Sequence, residues 1–290
     1  MLRLRRDYLR FPGGRGKAFT VSYDDGVIYD GRFINLLKKY GIRGTFNLNS
    51  GLMGTKDLLV QGDMEVNHEK YKWEELRDVY ADVEIAVHSL THPDLARMPA
   101  ASVAYEVSAD KANLETLVGE PVQGMAYPFG TYNDEVVQVL KQCGIVYSRT
   151  TKNTHEFGLP EEFLTWHPTC HHRDERLEEL GDTFLANEVI NRDARLFYLW
   201  GHSYEFEGYE QWDMIEAFLK KMAFHKDIWY ATNMEIYEYV QAGRHLIYSS
   251  NGNLIKNPSR LDVWMEIDEQ VYHIPSGETV VIDAATAMSL

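Results

Sequence analysis

The sequence has few cysteines, no long apolar run and little positive charge. Its only two cysteines, Cys143 and Cys170, are too few for a disulfide framework and lack the spacing of a zinc-thiolate site. Nowhere do about 18 apolar residues run together, so we expect no transmembrane helix. The basic start MLRLRRDYLRFPGG contains no apolar stretch of signal-peptide length. As given, the chain is therefore expected to be soluble and cytoplasmic.

The negative net charge disfavours nucleic acids and anionic membranes as partners. The formal net charge is -15, and an acidic chain is repelled by nucleic-acid phosphates and anionic membranes unless a basic patch offsets the field. Beyond RLRR at the start no such patch is visible, so we expect neither nucleic acid nor a membrane as partner. The 290 residues are 44% hydrophobic, which is enough for one large globular core. Homo-oligomer formation is left open.

Short apolar runs alternate with longer segments of helical period, a pattern typical of β/α units around a parallel sheet. The expected strands are 18–23, 43–48, 83–87, 122–127, 144–148, 195–200 and 228–231. The expected helices are 31–40, 100–118, 133–142, 209–224 and 233–242. Seven strands separated by helices suggest an α/β barrel.

The pattern changes after residue 245. The stretch LDVWMEIDEQVYHIPSGETVVID alternates with period two and contains the turn PSGE, which is typical of a β-hairpin. We therefore divide the chain into a barrel, 1–245, and a small β-rich C-terminal appendage, 246–290. Covering a barrel edge is the expected role of the appendage, with dimer formation or substrate contact as alternatives.

Candidate site residues stand at the C-terminal ends of four expected strands. These are Asp24 and Asp25, His88, the pair Pro128 and Phe129, and His202. In a parallel barrel these ends share one face, so the residues are expected to converge there.

The spacing of His88 and His92 adds a chemical expectation. Four residues apart, the two imidazoles lie on one side if the chain makes a helical turn, and with a carboxylate they form a three-ligand site for a divalent metal. Asp25 is the expected third ligand, which leaves Asp24 free to take a proton from water. Zinc is expected first, while cobalt, nickel and manganese suit the same ligands. Without the histidines, DDG would be interpreted as a turn and helix N-cap.

The motifs SYDDG, HSLTHPDL, AYPFGTYN and LWGH resemble, in order and approximate spacing, those of the polysaccharide deacetylases, the NodB-homology group of carbohydrate esterase family 4. The resemblance covers about residues 17 to 242. The first two motifs together are highly specific, and the last two are weak alone. The resemblance implies a distorted (β/α)7 barrel and metal-assisted hydrolysis of an acetyl group on a sugar, usually N-acetyl and sometimes O-acetyl.

The resemblance also implies roles for individual residues. Asp24 matches the catalytic base, and His202 matches the acid that protonates the leaving group. Asp25, His88 and His92 match the metal triad. The backbone N–H of Tyr127 is the motif-matched contact for the oxyanion. An acid histidine needs a neighbouring carboxylate, for which Asp193, Glu205 and Glu207 are candidates.

Two departures from the family pattern stand out. Many members have RxPY where this chain has AYPF, so the arginine that braces the catalytic aspartate is replaced by Ala126. The motif DxxDW is not recognisable, and Trp166 is the expected substitute for its aromatic wall. Trp166 and Phe129 are thus the expected substrate contacts.

Three functions follow from these residues. The first is a metal-dependent hydrolase that removes acetyl groups, N-acetyl first, from an amino-sugar poly- or oligosaccharide; an O-acetyl esterase of the acetylxylan type is its variant. The second is another C–N hydrolase of the same barrel, acting on a cyclic amide or ureide. The third is a non-catalytic carbohydrate-binding protein, which would need neither the base Asp24 nor the acid His202.

Overall fold

A computed structural model describes residues 6–186, 189–190 and 192–283. The strands, in chain order, are β1 (Asp7–Arg10), β2 (Lys17–Asp24), β3 (Gly44–Leu48), β4 (Leu58–Gln61), β5 (Met64–Asn67), β6 (Glu84–Val87), β7 (Gly124–Ala126), β8 (Tyr147–Arg149), β9 (Cys170–His171), β10 (Arg195–Gly201), β11 (Ile228–Tyr230), β12 (Ile247–Tyr248), β13 (Leu254–Lys256), β14 (Val263–Ile267), β15 (Gln270–Ile274) and β16 (Thr279–Val281). The helices are α1 (Asp30–Lys39), α2 (Trp73–Val79), α3 (Ala100–Val118), α4 (Asp134–Gln142), α5 (Leu177–Ala186), α6 (Ser203–Gly208), α7 (Trp212–Met222) and α8 (Asn233–Arg244).

The expected α/β barrel is confirmed. Parallel strands pair in the order β8-β7-β6-β3-β2-β10-β9, and β11 also pairs with β2. The segment 166–171 links the two ends of this sheet, because Trp166 N–H donates to the Ser148 carbonyl at 3.0 Å and β9 pairs with β10. Six of the seven expected strands lie on this path and the seventh is β11. The two-residue β9 was not predicted because it is too short to show a period.

Side chains of β2 point alternately to the two faces of the sheet, and this alternation sets the direction of Asp24. All eight residues of β2 are buried, as expected for a parallel strand covered on both faces. Phe19, Val21 and Tyr23 pack in the large core cluster that also contains side chains of α1 and α7. Thr20 and Ser22 lie on the other face, where Thr20 Oγ1 donates to Asn233 Oδ1 at 2.9 Å. Asp24 continues the parity of Thr20 and Ser22 and therefore points into the barrel.

Helix α3 occupies the predicted residues 100–118 and ends at Gly119, whose φ of 82° is the left-handed conformation that suits glycine. Helices α1, α4, α7 and α8 lie within a few residues of their predictions. The helices α2, α5 and α6 were not predicted. Two of these are short, with seven residues in α2 and six in α6, so they give little periodic signal.

The C-terminal region is β-rich as expected, but its hairpin lies elsewhere. Strands β14 and β15 pair through the two-residue turn Asp268–Glu269, both with positive φ, whereas the PSGE turn joins β15 to β16, which pairs with β13 in a different sheet. Strand β1 pairs with β14, so the N-terminal residues join the appendage. The boundary at 245/246 stays a prediction, and residues 284–290 of the predicted appendage lie outside the described residues.

The appendage packs at the end of the barrel where the parallel strands begin. The chain passes from β1 through residues 11–16 into the first residue of β2, and Tyr239 Oη of α8 accepts from Trp264 N–H at 3.0 Å. We call this the closed end of the barrel, and the opposite end, at the strand C-termini, the site end. No helix in the described part of the chain is both long and apolar enough to cross a membrane.

Candidate active site

The predicted polar residues converge at the site end. Strands β2, β3, β6, β7, β8 and β10 run parallel, so their last residues meet on one face. The side chains that meet there are Asp24 and Asp25, Asn47, His88 and His92, Arg149, and His202. Most of them come from or directly follow a strand end, as the sequence pattern predicted.

Asp25, His88 and His92 form a compact donor set. Their ligand atoms all lie within 4.8 Å of one another, and Asp25 Oδ1 is 3.9 Å from Nε2 of each histidine. His88 Nδ1 lies 2.8 Å from the Ala126 carbonyl, which can only accept, so Nδ1 carries the proton and Nε2 offers its lone pair to the cluster. Burial lowers the pKa of His88 to about 4, which keeps the ring neutral as a ligand must be. These three residues therefore fit a divalent metal.

The two histidines are not brought together by a helical turn, so that expectation is wrong. Residues 88–92 form an irregular loop in which Ser89 and His92 have positive φ values of 64° and 58°. Asp25 also has a positive φ, 84°. Non-glycine residues in this conformation cost energy and persist only where surrounding contacts enforce them, which is common at functional sites.

Asp24 is held by two donors that the sequence analysis did not identify. Asn47 Nδ2 donates to Asp24 Oδ1 at 2.8 Å, and the Arg149 guanidinium donates to Asp24 Oδ2. Burial alone would raise the pKa of Asp24, but the charge of Arg149 lowers it below the usual 3.8. The arginine missing at Ala126 is thus matched by one from β8, and Asp24 stays ionised.

His202 lies between Asp24 and Glu205. Its Nε2 is 3.8 Å from Asp24 Oδ2, and its Nδ1 is 3.2 Å from Glu205 Oε2. Burial would lower the pKa of His202, but the hydrogen bond and charge of Glu205, with the two aspartates, raise it to about 9. Of the three carboxylates considered, Glu207 instead accepts from Trp212 Nε1 at 2.8 Å, and Asp193 precedes β10 at the closed end.

His171 joins the same carboxylate, with Nε2 3.0 Å from Glu205 Oε2. The ligand atoms of His171, His202 and Glu205 also lie within 4.8 Å of one another. The backbone N–H of Arg173 donates to His171 Nδ1 at 3.1 Å, which places the ring proton on Nε2. That nitrogen therefore donates to Glu205 and has no lone pair for a metal, so the group forms a hydrogen-bonded network.

Two expected contacts are corrected. The Tyr127 backbone N–H already donates to the Arg149 carbonyl at 3.0 Å, so it cannot also bind an oxyanion. Trp166 is 1% exposed and packs against Tyr147 and Tyr198 inside the barrel, out of reach of a substrate. Phe129, by contrast, is 62% exposed, and its ring lies 4.6 Å from His92.

Comparisons with known proteins agree with the motifs. Residues 11–148 match the sequence profile of the family described as polysaccharide deacetylase, which confirms the resemblance. No curated protein sequence matches the chain. A putative polysaccharide deacetylase from Mycobacterium smegmatis has 16% identity and a TM-score of 0.57, with 82% of this chain and 94% of that chain covered, which supports the fold.

Two further structures match this chain with lower TM-scores. A family 4 carbohydrate esterase from Streptomyces lividans, in complex with acetate, has 13% identity and a TM-score of 0.46 over 72% of this chain and 86% of its own. A Streptococcus pyogenes deacetylase, also with acetate, has 23% identity and a TM-score of 0.38 over 46% of this chain. The chain spans 55% of the length of that Streptococcus protein.

Proposed function

We propose that this chain, whose residues 11–148 match the polysaccharide deacetylase family, is a metal-dependent hydrolase that removes N-acetyl groups from an amino-sugar poly- or oligosaccharide. One observation supports this most directly. An ionised aspartate, Asp24, lies 3.8 Å from a histidine with a raised pKa, His202, directly beside the donor set Asp25, His88 and His92. Hydrolysis needs a base, an acid and a polarised carbonyl, and the site offers a group for each.

The donor set would hold one divalent metal ion, zinc first. When bound, the ion supplies Lewis-acid polarisation of the acetyl carbonyl and makes water more acidic. Zinc suits two imidazoles and a carboxylate, and so do cobalt, nickel and manganese. The buried neutral His88, whose Nδ1–H donates a hydrogen bond to the Ala126 carbonyl, is already in the state that ligation requires.

Asp24 acts as the base. Arg149 and Asn47 hold its two oxygens by charge-assisted hydrogen bonds, so the carboxylate is ionised and fixed in direction before substrate binds. Its position inside the barrel, rather than beyond the strand end like Asp25, separates the two neighbouring carboxylates. Asp24 takes the proton from the attacking water and Asp25 remains a metal ligand.

His202 acts as the acid. A raised pKa of about 9 keeps the ring protonated at neutral pH, with Nδ1–H directed to Glu205 and Nε2–H towards Asp24 and the site. An amine leaves a tetrahedral intermediate only after its nitrogen is protonated, whereas an alkoxide can leave without help. His202 supplies this proton, which suits an N-acetyl substrate.

Phe129 completes the site at its rim. It follows Pro128, adopts a left-handed φ of 58°, and exposes its ring beside His92. The ring offers a sugar face a stacking surface, and the Phe129 backbone N–H replaces that of Tyr127 as the candidate oxyanion donor.

The proposal is tested by measuring acetate release from N-acetylglucosamine oligomers and from acetylated xylan. Chelated protein should release none, and restored zinc or cobalt should give release from the N-acetyl substrate. Release from xylan alone would indicate the esterase. No release from either substrate by metal-loaded protein would contradict the proposal and favour the cyclic-amide hydrolase or the binding protein.

A further inference from the structure

A hairpin lies against the loop that carries Asp25. Strands β4 and β5 form it, and its pairing continues beyond their ends, because His68 N–H donates to the Asp57 carbonyl at 2.7 Å and Lys70 N–H to the Thr55 carbonyl at 3.0 Å. The same segment bonds to the loop after Asp25, through Ile28 N–H to the Glu69 carbonyl at 3.0 Å. The hairpin is thus tied by backbone hydrogen bonds to the metal-ligand loop.

Two side chains of this segment, Lys70 and His68, contact Asp25. Lys70 is 4% exposed, and its Nζ donates to the Asp25 carbonyl at 2.7 Å, which helps hold that residue at its positive φ. His68 Nε2 lies 3.3 Å from Asp25 Oδ2. The His68 ring is itself braced by the Tyr204 ring, 4.9 Å away at 85°.

The two oxygens of Asp25 therefore face different partners. Oδ2 faces His68, whereas Oδ1 faces Nε2 of His88 and of His92, each at 3.9 Å, with Lys70 Nζ 3.8 Å from the same oxygen. A carboxylate oxygen only accepts, so His68 presents a proton there and remains outside the donor set.

We propose that His68 is a positioning residue for the metal site: by holding Oδ2 of Asp25 it leaves Oδ1 directed towards the two imidazoles. This inference rests on the proposed metal dependence. Partners that orient a ligating side chain typically contribute 10- to 100-fold to metal affinity. Nothing in the motifs marks His68, because it lies on a hairpin between β3 and β6 that the sequence analysis did not predict.

The test is a zinc titration of the metal-stripped full chain against a chromophoric chelator. His68→Ala should bind zinc about 10- to 100-fold more weakly than the unaltered chain. His68→Gln, whose amide N–H can donate to the same oxygen, should recover most of that affinity. Glu65→Gln changes an exposed residue of the same hairpin and should bind like the unaltered chain. Thermal unfolding of the metal-free proteins should coincide.

The outcomes separate the alternatives. Equal zinc affinity in His68→Ala and the unaltered chain would overturn this inference alone. A His68→Gln variant as weak as His68→Ala would also overturn it, since His68 would then be a ligand or a purely structural residue. Failure of the unaltered chain to bind zinc or cobalt at all would overturn the proposed function and this inference together.

Discussion

Two buried arginine–carboxylate pairs lie at opposite ends of the barrel and are built differently. At the closed end, Arg10 uses all five of its N–H groups. It contacts Glu266 from Nε at 3.0 Å and from Nη2 at 2.7 Å, and donates to three backbone carbonyls, those of Leu9, Val189 and Arg192. This pair joins β1 to β14 and leaves no donor for another partner.

At the site end, Arg149 is fully buried but incompletely paired. It donates to Asp24 and to the Thr150 carbonyl, and its Cζ lies 4.5 Å from the centroid of the Trp200 ring. Its Nε has no hydrogen-bond partner among the described residues. A buried donor without a partner costs stability. We therefore attribute the burial of Arg149 to its contact with Asp24 rather than to a contribution to folding. The Arg10–Glu266 pair therefore stabilises the fold, whereas the Arg149–Asp24 pair orients the base.

Removing a metal ligand should have the largest effect on turnover. His88→Ala deletes one of the three metal ligands. Loss of a residue that only orients a ligand lowers metal affinity by up to about 100-fold, so zinc affinity should fall further than that in this variant. Acetate release at equimolar zinc should fall in parallel with bound zinc. Metal content measured after desalting checks this, and unchanged content would remove His88 from the ligand set.

Breaking the pair at the site end should come next. In Arg149→Met, turnover should fall about 10- to 100-fold, because the base loses its orientation. Arg149 lowers the pKa of Asp24, so without it the pKa rises and the acid limb of the pH–rate profile moves to higher pH. Zinc content should not change. A profile identical to that of the unaltered chain would show that Arg149 serves the fold only.

Neutralising Glu205 should lower turnover in a pH-dependent way. Glu205 raises the pKa of His202 to about 9, so the acid stays protonated up to that range. In Glu205→Gln burial dominates, the pKa falls, and the alkaline limb moves to lower pH, with about tenfold less turnover at pH 8. Glu207→Gln is the matched control, since Glu207 contacts Trp212 and should leave the profile unchanged. An unmoved alkaline limb in Glu205→Gln would show that another group is the acid.

Breaking the pair at the closed end should change turnover least. Arg10→Met removes the arginine that pairs with Glu266, which is 4% exposed, and should lower the free energy of unfolding by about 3–5 kcal/mol. Turnover per folded chain should stay the same. Chemical denaturation checks the first expectation, and Glu266→Leu added to Arg10→Met should recover much of the loss. A large fall in turnover without a fall in stability would contradict the contrast between the two ends.

The sequence predicted the site residues that follow strand ends. Asp24, Asp25, His88 and His202 meet because parallel strands end on one face, and strand patterns were strong enough to show those ends. Arg149 was missed because the expected strand stopped at residue 148. With one residue more, its parity with the buried Tyr147 would have placed it inside the barrel.

Other contacts depend on geometry that no local pattern records. Glu205 could have been found from its position three residues after His202 at a helix start, where it forms a capping box. His68 could not, because β4 and β5 are short and partly exposed and their docking is a long-range event. The left-handed residues Ser89 and His92 likewise depend on surrounding contacts rather than on local propensity.

The division of the two aspartates into base and ligand is tested by a single preparation of Asp24→Asn, assayed for bound zinc and for acetate release from N-acetylglucosamine oligomers. We expect zinc content like that of the unaltered chain and a fall in turnover of about 10²- to 10⁴-fold, the contribution of a general base. Loss of zinc together with turnover would contradict the division of the two aspartates into base and ligand.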